Sequence, residues 1–427
     1  VWKQLLESEA AVSEGLDAIS VLWDLLKCYE HVGRIGLAHE VEGVGFPLAI
    51  ARMAIQSYAW VRVLVHGELV SAKTSAFRGI VAGCFAATTL LKVRVMRAID
   101  RYLSHPQAYP IDFQLFVDDS HLGMQGPSGR LPRAFAKAAA GLRDVFQIEL
   151  GLPLAPKKRW LVSSSEGVAK EFQNIMGPSA GTLVYSMKNL GIDYTCGKSH
   201  GLRKGRMTTI SRLGTALKRK KKLLAFQRMG GDSKKIFICG LKPSFGFGAE
   251  VTGFTDRELK LAKSIIRPFL RPKCAGRSAS VALALEANNP LHSLEIAPIL
   301  SWSEAIWDAV RTPFTGVISA GLIPSEDLVQ LWYSISSKWV DKDAMKWNKV
   351  NGPLAAAWCS ALSLGLSWTD PTKLVKPDGT EINFTTSSPS AIGHALTQFA
   401  IERDAREIAV KPGIAGADTD LVFLEPV

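Results

Sequence analysis

The sequence predicts an α+β protein: an antiparallel sheet with packed helices up to about residue 197, then a largely helical remainder. Three observations predict it. Short apolar runs with hairpin signals alternate with helix-periodic segments through the first part of the chain. From Tyr194 to Gly231 there is no acidic residue, while Lys198, Arg203, Lys204, Arg206, Arg212 and the run Lys218 to Lys222 all fall there. Beyond residue 300 the chain is rich in tryptophan, holding 7 of the 11. The expected divisions are therefore 1–197, 198–300 and 301–427, and a chain of 427 residues has room for two or three domains.

Residues 1–17 carry apolar side chains at helical spacing, and Ile19 to Leu26 reads as a buried strand ending near an acid. Phe46 to Ala59 predicts a helix with Pro47 at its start and Leu48, Ile50, Met53, Ala54 and Tyr58 on one stripe. Trp60 to Val65 and Leu69 to Thr74 flank His66-Gly67-Glu68, a hairpin signal. Gly79 to Arg101 predicts a helix entered through a glycine-rich turn. Ile111 to Val117 and His121 to Met124 bracket a tight acidic turn, and Pro132 to Leu150 is amphipathic. Leu161 to Ser163 reads as a short strand and Leu183 to Tyr194 as another hairpin. Ile210, Leu213, Leu217 and Leu224 recur at roughly helical spacing, which favours an amphipathic helix over a nuclear-targeting or disordered basic tract.

The balance of 51 Lys and Arg against 39 Asp and Glu gives a net charge of +12, which favours polyanionic partners. Cys28, Cys84, Cys196, Cys239, Cys274 and Cys359 include no C-x-x-C pair, so neither a zinc site nor a disulfide framework is expected. From the opening residues as they stand no signal peptide is expected. Phe46 to Val65 is interrupted by Arg52 and Arg62, and Pro353 to Trp368 is too short, so no membrane span is expected.

The sharpest chemical signal is Phe116-Val117-Asp118-Asp119, an apolar strand ending in adjacent carboxylates. Nucleotidyl transfer uses two divalent cations about 3.5–4 Å apart, which demands carboxylates packed this closely. Taken alone the run is more often a plain turn, and its company changes that reading. Leu22-Trp23-Asp24 supplies a third candidate acid at a strand end, with Tyr29 five residues later. Arg78-Gly79-Ile80-Val81-Ala82-Gly83 leads into an apolar helix, where glycines permit close backbone approach. Gly151 to Lys158 brings lysines that a leaving pyrophosphate would need for protonation, or that form a solvated basic loop. Asn189-Leu190-Gly191-Ile192 adds a hairpin turn.

In order and spacing these five segments resemble the reverse transcriptases of non-LTR (LINE-type) retrotransposons. Asp24-Leu-Leu-Lys-Cys-Tyr-Glu resembles the family's first catalytic motif, an Asp followed by K-A-F-D or K-A-Y-D. Arg78 to Cys84 is similar to its glycine-rich second motif, and Phe116 to Asp119 to its Y-A-D-D or F-A-D-D. Pro156 to Lys158 resembles the lysine motif and Leu190-Gly191-Ile192 the primer grip. The resemblance covers residues 15–197, with a thumb to about 230. It implies a right-hand polymerase palm followed by a helical thumb, without the fingers before Asp24.

By that resemblance Asp24, Asp118 and Asp119 hold two Mg2+ or Mn2+ ions and Lys158 donates a proton. Tyr29 is the sugar gate, Arg78, Gly79 and Gly83 line the substrate site, and Leu190 and Gly191 brace the primer. Arg203, Lys204, Arg206, Arg212, Lys218 and Arg219 would contact the nucleic acid. The implied partners are an RNA template, a DNA primer and deoxynucleoside triphosphates, in an intracellular ribonucleoprotein of nucleus and cytoplasm. The second motif departs from the family, with Ala82 for its glutamine and Ala87-Thr88 where Ser-Pro is usual.

Two competing readings remain. A catalytically decayed nucleic-acid binder, or maturase-like RNA binder, would keep the basic tract and lose the chemistry. A viral RNA-dependent RNA polymerase usually has Gly-Asp-Asp at the turn and a second acid where Tyr29 stands. Trp302, Trp307, Trp332, Trp339 and Trp347 are expected in a core rather than as stacking platforms, and Asp370, Asp378, Glu381, Asp404, Asp418 and Asp420 form no catalytic pattern.

Overall fold

The computed structural model describes residues 1–270, 278–284, 286, 289–311, 325–337 and 346–409. Cys274, Trp339, Asp418 and Asp420 lie outside the described residues. The chain is α+β and divides into two compact units, residues 15–187 and residues 1–14 with 188–427.

The first unit is built on a five-stranded mixed sheet of order β4-β5-β1-β6-β7. Its strands are β1 (Asp17–Leu25), β4 (Ile111–Phe116), β5 (Asp119–Gly126), β6 (Leu154–Ser163) and β7 (Thr182–Leu183). β1 is antiparallel to both neighbours and nearly continuously apolar, as a strand buried between two others requires. Helices α2 (Cys28–His31), α3 (Arg34–Gly43), α4 (Leu48–Ala59), α5 (Ala87–Leu103), α6 (Leu131–Asp144) and α7 (Glu166–Met176) complete the unit. Ile19, Val21, Trp23 and Leu25 of β1 share one core with Leu90 and Leu91 of α5, Phe135 and Leu142 of α6 and Phe172 of α7. Because side chains alternate along a strand, Asp24 lies on the other face from Trp23 and Leu25.

Several expectations are corrected here. The buried stripe of α4 is Ala51, Ala54 and Tyr58, whereas Leu48, Ile50 and Met53 are exposed. The hairpin after it is reduced to β2 (Val65–His66) and β3 (Leu69–Val70). The helix expected from Gly79 begins at Ala87, and the stretch before it is turn. The long amphipathic helix ends at Asp144 and continues as a π-helical turn, Val145–Glu149. The three-residue strand read at Leu161 to Ser163 is the ten-residue β6, so Lys157 and Lys158 stand on a strand rather than in a loop.

In the second unit α1 (Trp2–Ser13) belongs with the chain after residue 188, not with the sheet it precedes. The expected boundary at 197 falls between Met187 and Lys188. The hairpin of β8 (Met187–Asn189) and β9 (Ile192–Tyr194) turns through Leu190 and Gly191, whose φ values of 46° and 86° are those of a type I′ turn. The basic tract forms α8 (Met207–Arg228), followed by α9 (Asp256–Ile266), α10 (Ala297–Arg311), α11 (Ser325–Ser336), α12 (Pro353–Leu364) and α13 (Pro389–Ala409). Two large apolar clusters and a small one around Val350, Ala355, Ala356 and Cys359 hold the described part of this unit. Of the large ones, the first runs from Leu213 to Leu294, and the second from Ile296 to Ala400 with Leu6 and Ala10 of α1. Trp302, Trp332, Trp358 and Trp368 pack in the second cluster. The last region is not helical throughout: β10 (Ser367–Asp370), β11 (Lys373–Val375) and β12 (Glu381–Asn383) form a small antiparallel sheet. Among the described residues no helix is long and apolar enough to cross a membrane.

Candidate metal centre

Antiparallel pairing assembles the site. Asp24, at the end of β1, is the direct cross-strand partner of Asp119, the first residue of β5. The two-residue connection Val117-Asp118 joins β4 to β5, and the Asp118 carbonyl accepts the amide of Leu25 at 2.9 Å. One carboxylate oxygen from each of Asp24, Asp118 and Asp119 lies within 4.8 Å of the others. Among the described residues no other group of His, Cys, Asp and Glu is so arranged. The turn depends on Val117 at φ 61°, a left-handed conformation that a β-branched residue rarely adopts.

β6 supplies the cation. Trp23 pairs with Arg159 and the register shifts before Leu25 meets Leu154, so Lys158 reaches the end of β1 beside this irregularity. Its Nζ sits 2.5 Å from Asp24 Oδ2. The hydrogen bond to Asp24, then the charge of that carboxylate, raises the Lys158 pKa above its ordinary value. The acids also act on Cys28, whose thiol is pushed up to about 11, first by burial and then by the negative charge of Asp118.

Three carboxylates offer only hard oxygen donors over a short span, which suits Mg2+ or Mn2+. A cation at Asp24 competes with Lys158 for the same oxygen.

The remaining expected residues fall into three groups. Tyr29, on α2, directs its hydroxyl to Thr88 Oγ1 at 3.2 Å, so the departure at position 88 supplies the tyrosine with a partner. Gly79, at φ 89°, is fixed by close approach: a Cβ there would stand 2.9 Å from the Glu30 carbonyl oxygen and 3.0 Å from that of Tyr29. Arg78 is exposed, and Gly83, at φ 86°, turns in open space. Leu190 and Gly191 form the β8–β9 turn in the other unit, where a Gly191 side chain would strike Arg212.

The basic set divides. Arg203, Lys204, Lys218 and Arg219 are exposed. Arg206 is a correction: it is buried, forms a bidentate pair with Glu258 at 2.7 and 2.6 Å and donates to the carbonyls of Thr252 and Gly253. Arg212 is largely committed as well, donating to the Phe247 carbonyl at 2.9 Å and lying over the Phe247 ring.

One residue of the site's surroundings escaped the sequence reading. Arg34, first residue of α3, donates to the carbonyls of Tyr58, Ala76, Arg78 and Gly79. Its neighbours His-Val-Gly-Arg-Ile carry no signal that would single it out. No protein-family model matches the chain, and no curated protein matches it.

Proposed function

We propose that the chain is an RNA-directed DNA polymerase of the non-LTR retrotransposon kind, with residues 15–187 as its palm and α8 as its thumb helix. It extends a primer 3′-hydroxyl with deoxynucleotides on an RNA template, as part of retrotransposition. The observation that carries this reading is the convergence of Asp24, Asp118 and Asp119 within 4.8 Å, from segments more than ninety residues apart, with Lys158 beside them.

In this reading the three carboxylates hold two divalent cations. When bound, such ions supply the positive charge that activates the primer hydroxyl and neutralises the triphosphate. The Asp118–Asp119 turn and the end of β1 fix the carboxylates before substrate arrives, so little reorganisation is needed. Lys158 holds its proton tightly while tied to Asp24. Released from that carboxylate, it is the ammonium at hand for the departing pyrophosphate. Tyr29, five residues after Asp24, presents a ring that excludes a 2′-hydroxyl.

Primer extension on poly(rA)–oligo(dT) with dTTP and Mg2+ tests the reading. The wild-type chain extends, and Asp118→Asn lowers the rate on the order of a hundredfold or more while duplex binding persists. Binding without extension by the wild type points to a decayed remnant, and extension with ribonucleotides alone points to a viral RNA polymerase. Either result overturns the reading.

A further inference from the structure

Arg34 spends its guanidinium on backbone. Nε donates to the Gly79 carbonyl at 2.9 Å and Nη1 to that of Ala76 at 2.9 Å, while Nη2 donates to those of Tyr58 at 2.8 Å and Arg78 at 3.3 Å. Two stretches of chain are thereby joined. Tyr58 lies in the last turn of α4, where carbonyls lack intrahelical partners, and the other three acceptors belong to the glycine-rich segment. Among the described residues Arg34 forms no ion pair with a carboxylate.

The same segment is held from its other side. The Gly79 amide donates to the Val32 carbonyl at 2.8 Å, and the Ile80 amide to that of Tyr29 at 2.8 Å. Gly79 lies too close to the backbone of Tyr29 and Glu30 to admit a side chain. α2 therefore rests on a strand of chain whose carbonyls Arg34 fixes, and α2 carries Tyr29 a few residues beyond Asp24. A planar fork with five donors in fixed directions serves four carbonyls from two segments at once, more than the three donors of a lysine ammonium on a flexible stem can hold.

We infer that Arg34 is a positioning residue that sets the sugar specificity of the site by fixing the glycine-rich segment on which Tyr29 is seated. This rests on the polymerase reading for its consequence, although the clamp itself does not.

The test measures two properties of Arg34→Ala and Arg34→Lys, with Tyr29→Ala as comparator. Hydrogen exchange at the Gly79 and Ile80 amides reads the clamp, and the kcat/KM ratio for dTTP against UTP reads specificity. Arg34→Ala is expected to lose protection at both amides and to lower the discrimination ratio about tenfold, in the direction of Tyr29→Ala, with Arg34→Lys between it and wild type. Protection that persists at both amides overturns the clamp. Lower kcat with an unchanged dTTP/UTP ratio overturns the specificity role, because general destabilisation reduces active enzyme without altering that ratio. Should Arg34→Ala not fold, Arg34→Lys decides by the same two measurements. A wild-type chain that incorporates neither nucleotide overturns the polymerase reading and the specificity role together, while exchange at the two amides still decides the clamp.

Discussion

Val117 holds a conformation that costs roughly 1–3 kcal/mol for a residue with a Cβ. The cost is tolerated because β4 and β5 are paired on both sides of it, from Phe116 opposite Asp119 to Ile111 opposite Met124. Such strain serves a site whose acids must stand at a sharp bend. Glu9 is a second costly residue. It is fully buried and accepts the amides of Leu354 and Ala355 at the start of α12. Burial outweighs those two bonds and pushes its pKa up to about 8. The folded state then binds the proton more tightly than the unfolded chain, so this residue's contribution to stability falls as pH rises from about 4.5 to about 8. Glutamine keeps the side chain neutral, but its amide nitrogen cannot accept, so one of the two backbone donors at the start of α12 loses its partner. Measured against wild type in urea denaturation, Glu9→Gln should therefore fare better at pH 8 than at pH 5, by no more than about 4 kcal/mol. The same difference from wild type at both pH values would refute a buried, proton-holding Glu9.

At the scale of elements, β1, β4 and β5 were legible because each is a short apolar run and the acidic turn between β4 and β5 is compact. Asp24, Asp118 and Asp119 could be named only from those strand ends taken together with the order and spacing of the other segments, since the acidic run alone reads as a turn. β6 was only half legible: Pro156, Lys157 and Lys158 have the composition of a loop, and pairing with β1 overrides it. That override brings Lys158 to Asp24. The helices α3 and α7 were not anticipated, and α1 could not be assigned to its unit, since its partners lie beyond residue 188. Arg206 was misread because a cation in a basic tract looks exposed, whereas its partner Glu258 is fifty-two residues away. The pair ties the entrance of α8 to α9. Removing one member strands a buried charge, so Arg206→Met should cost about 3–5 kcal/mol in chemical denaturation. Adding Glu258→Leu should recover part of it, the remainder being the orphaned carbonyls of Thr252 and Gly253 and the Thr255 amide that Glu258 caps. Additive losses would show that the two residues act independently.

For the whole molecule, a cation bound at the candidate centre would make stability depend on ligand in one unit. Three carboxylates within 4.8 Å repel one another, and Lys158 offsets only part of that repulsion. A cation that binds only the folded site stabilises it by about 2.7 kcal/mol at a hundredfold excess over its dissociation constant. Asp119→Asn should therefore change sign with conditions. In EDTA it relieves repulsion and should be at least as stable as wild type, while in excess Mn2+ it forgoes the ligand's contribution and should be less stable. Hydrogen exchange separates the two units in the same experiment. Mn2+ should slow exchange in residues 15–187 of the wild type, leave α8 and α9 unchanged, and have no effect on either unit of the variant. If Asp119→Asn were less stable in EDTA and gained as much from Mn2+ as wild type, the carboxylates would be ordinary turn residues and no metal centre would exist there.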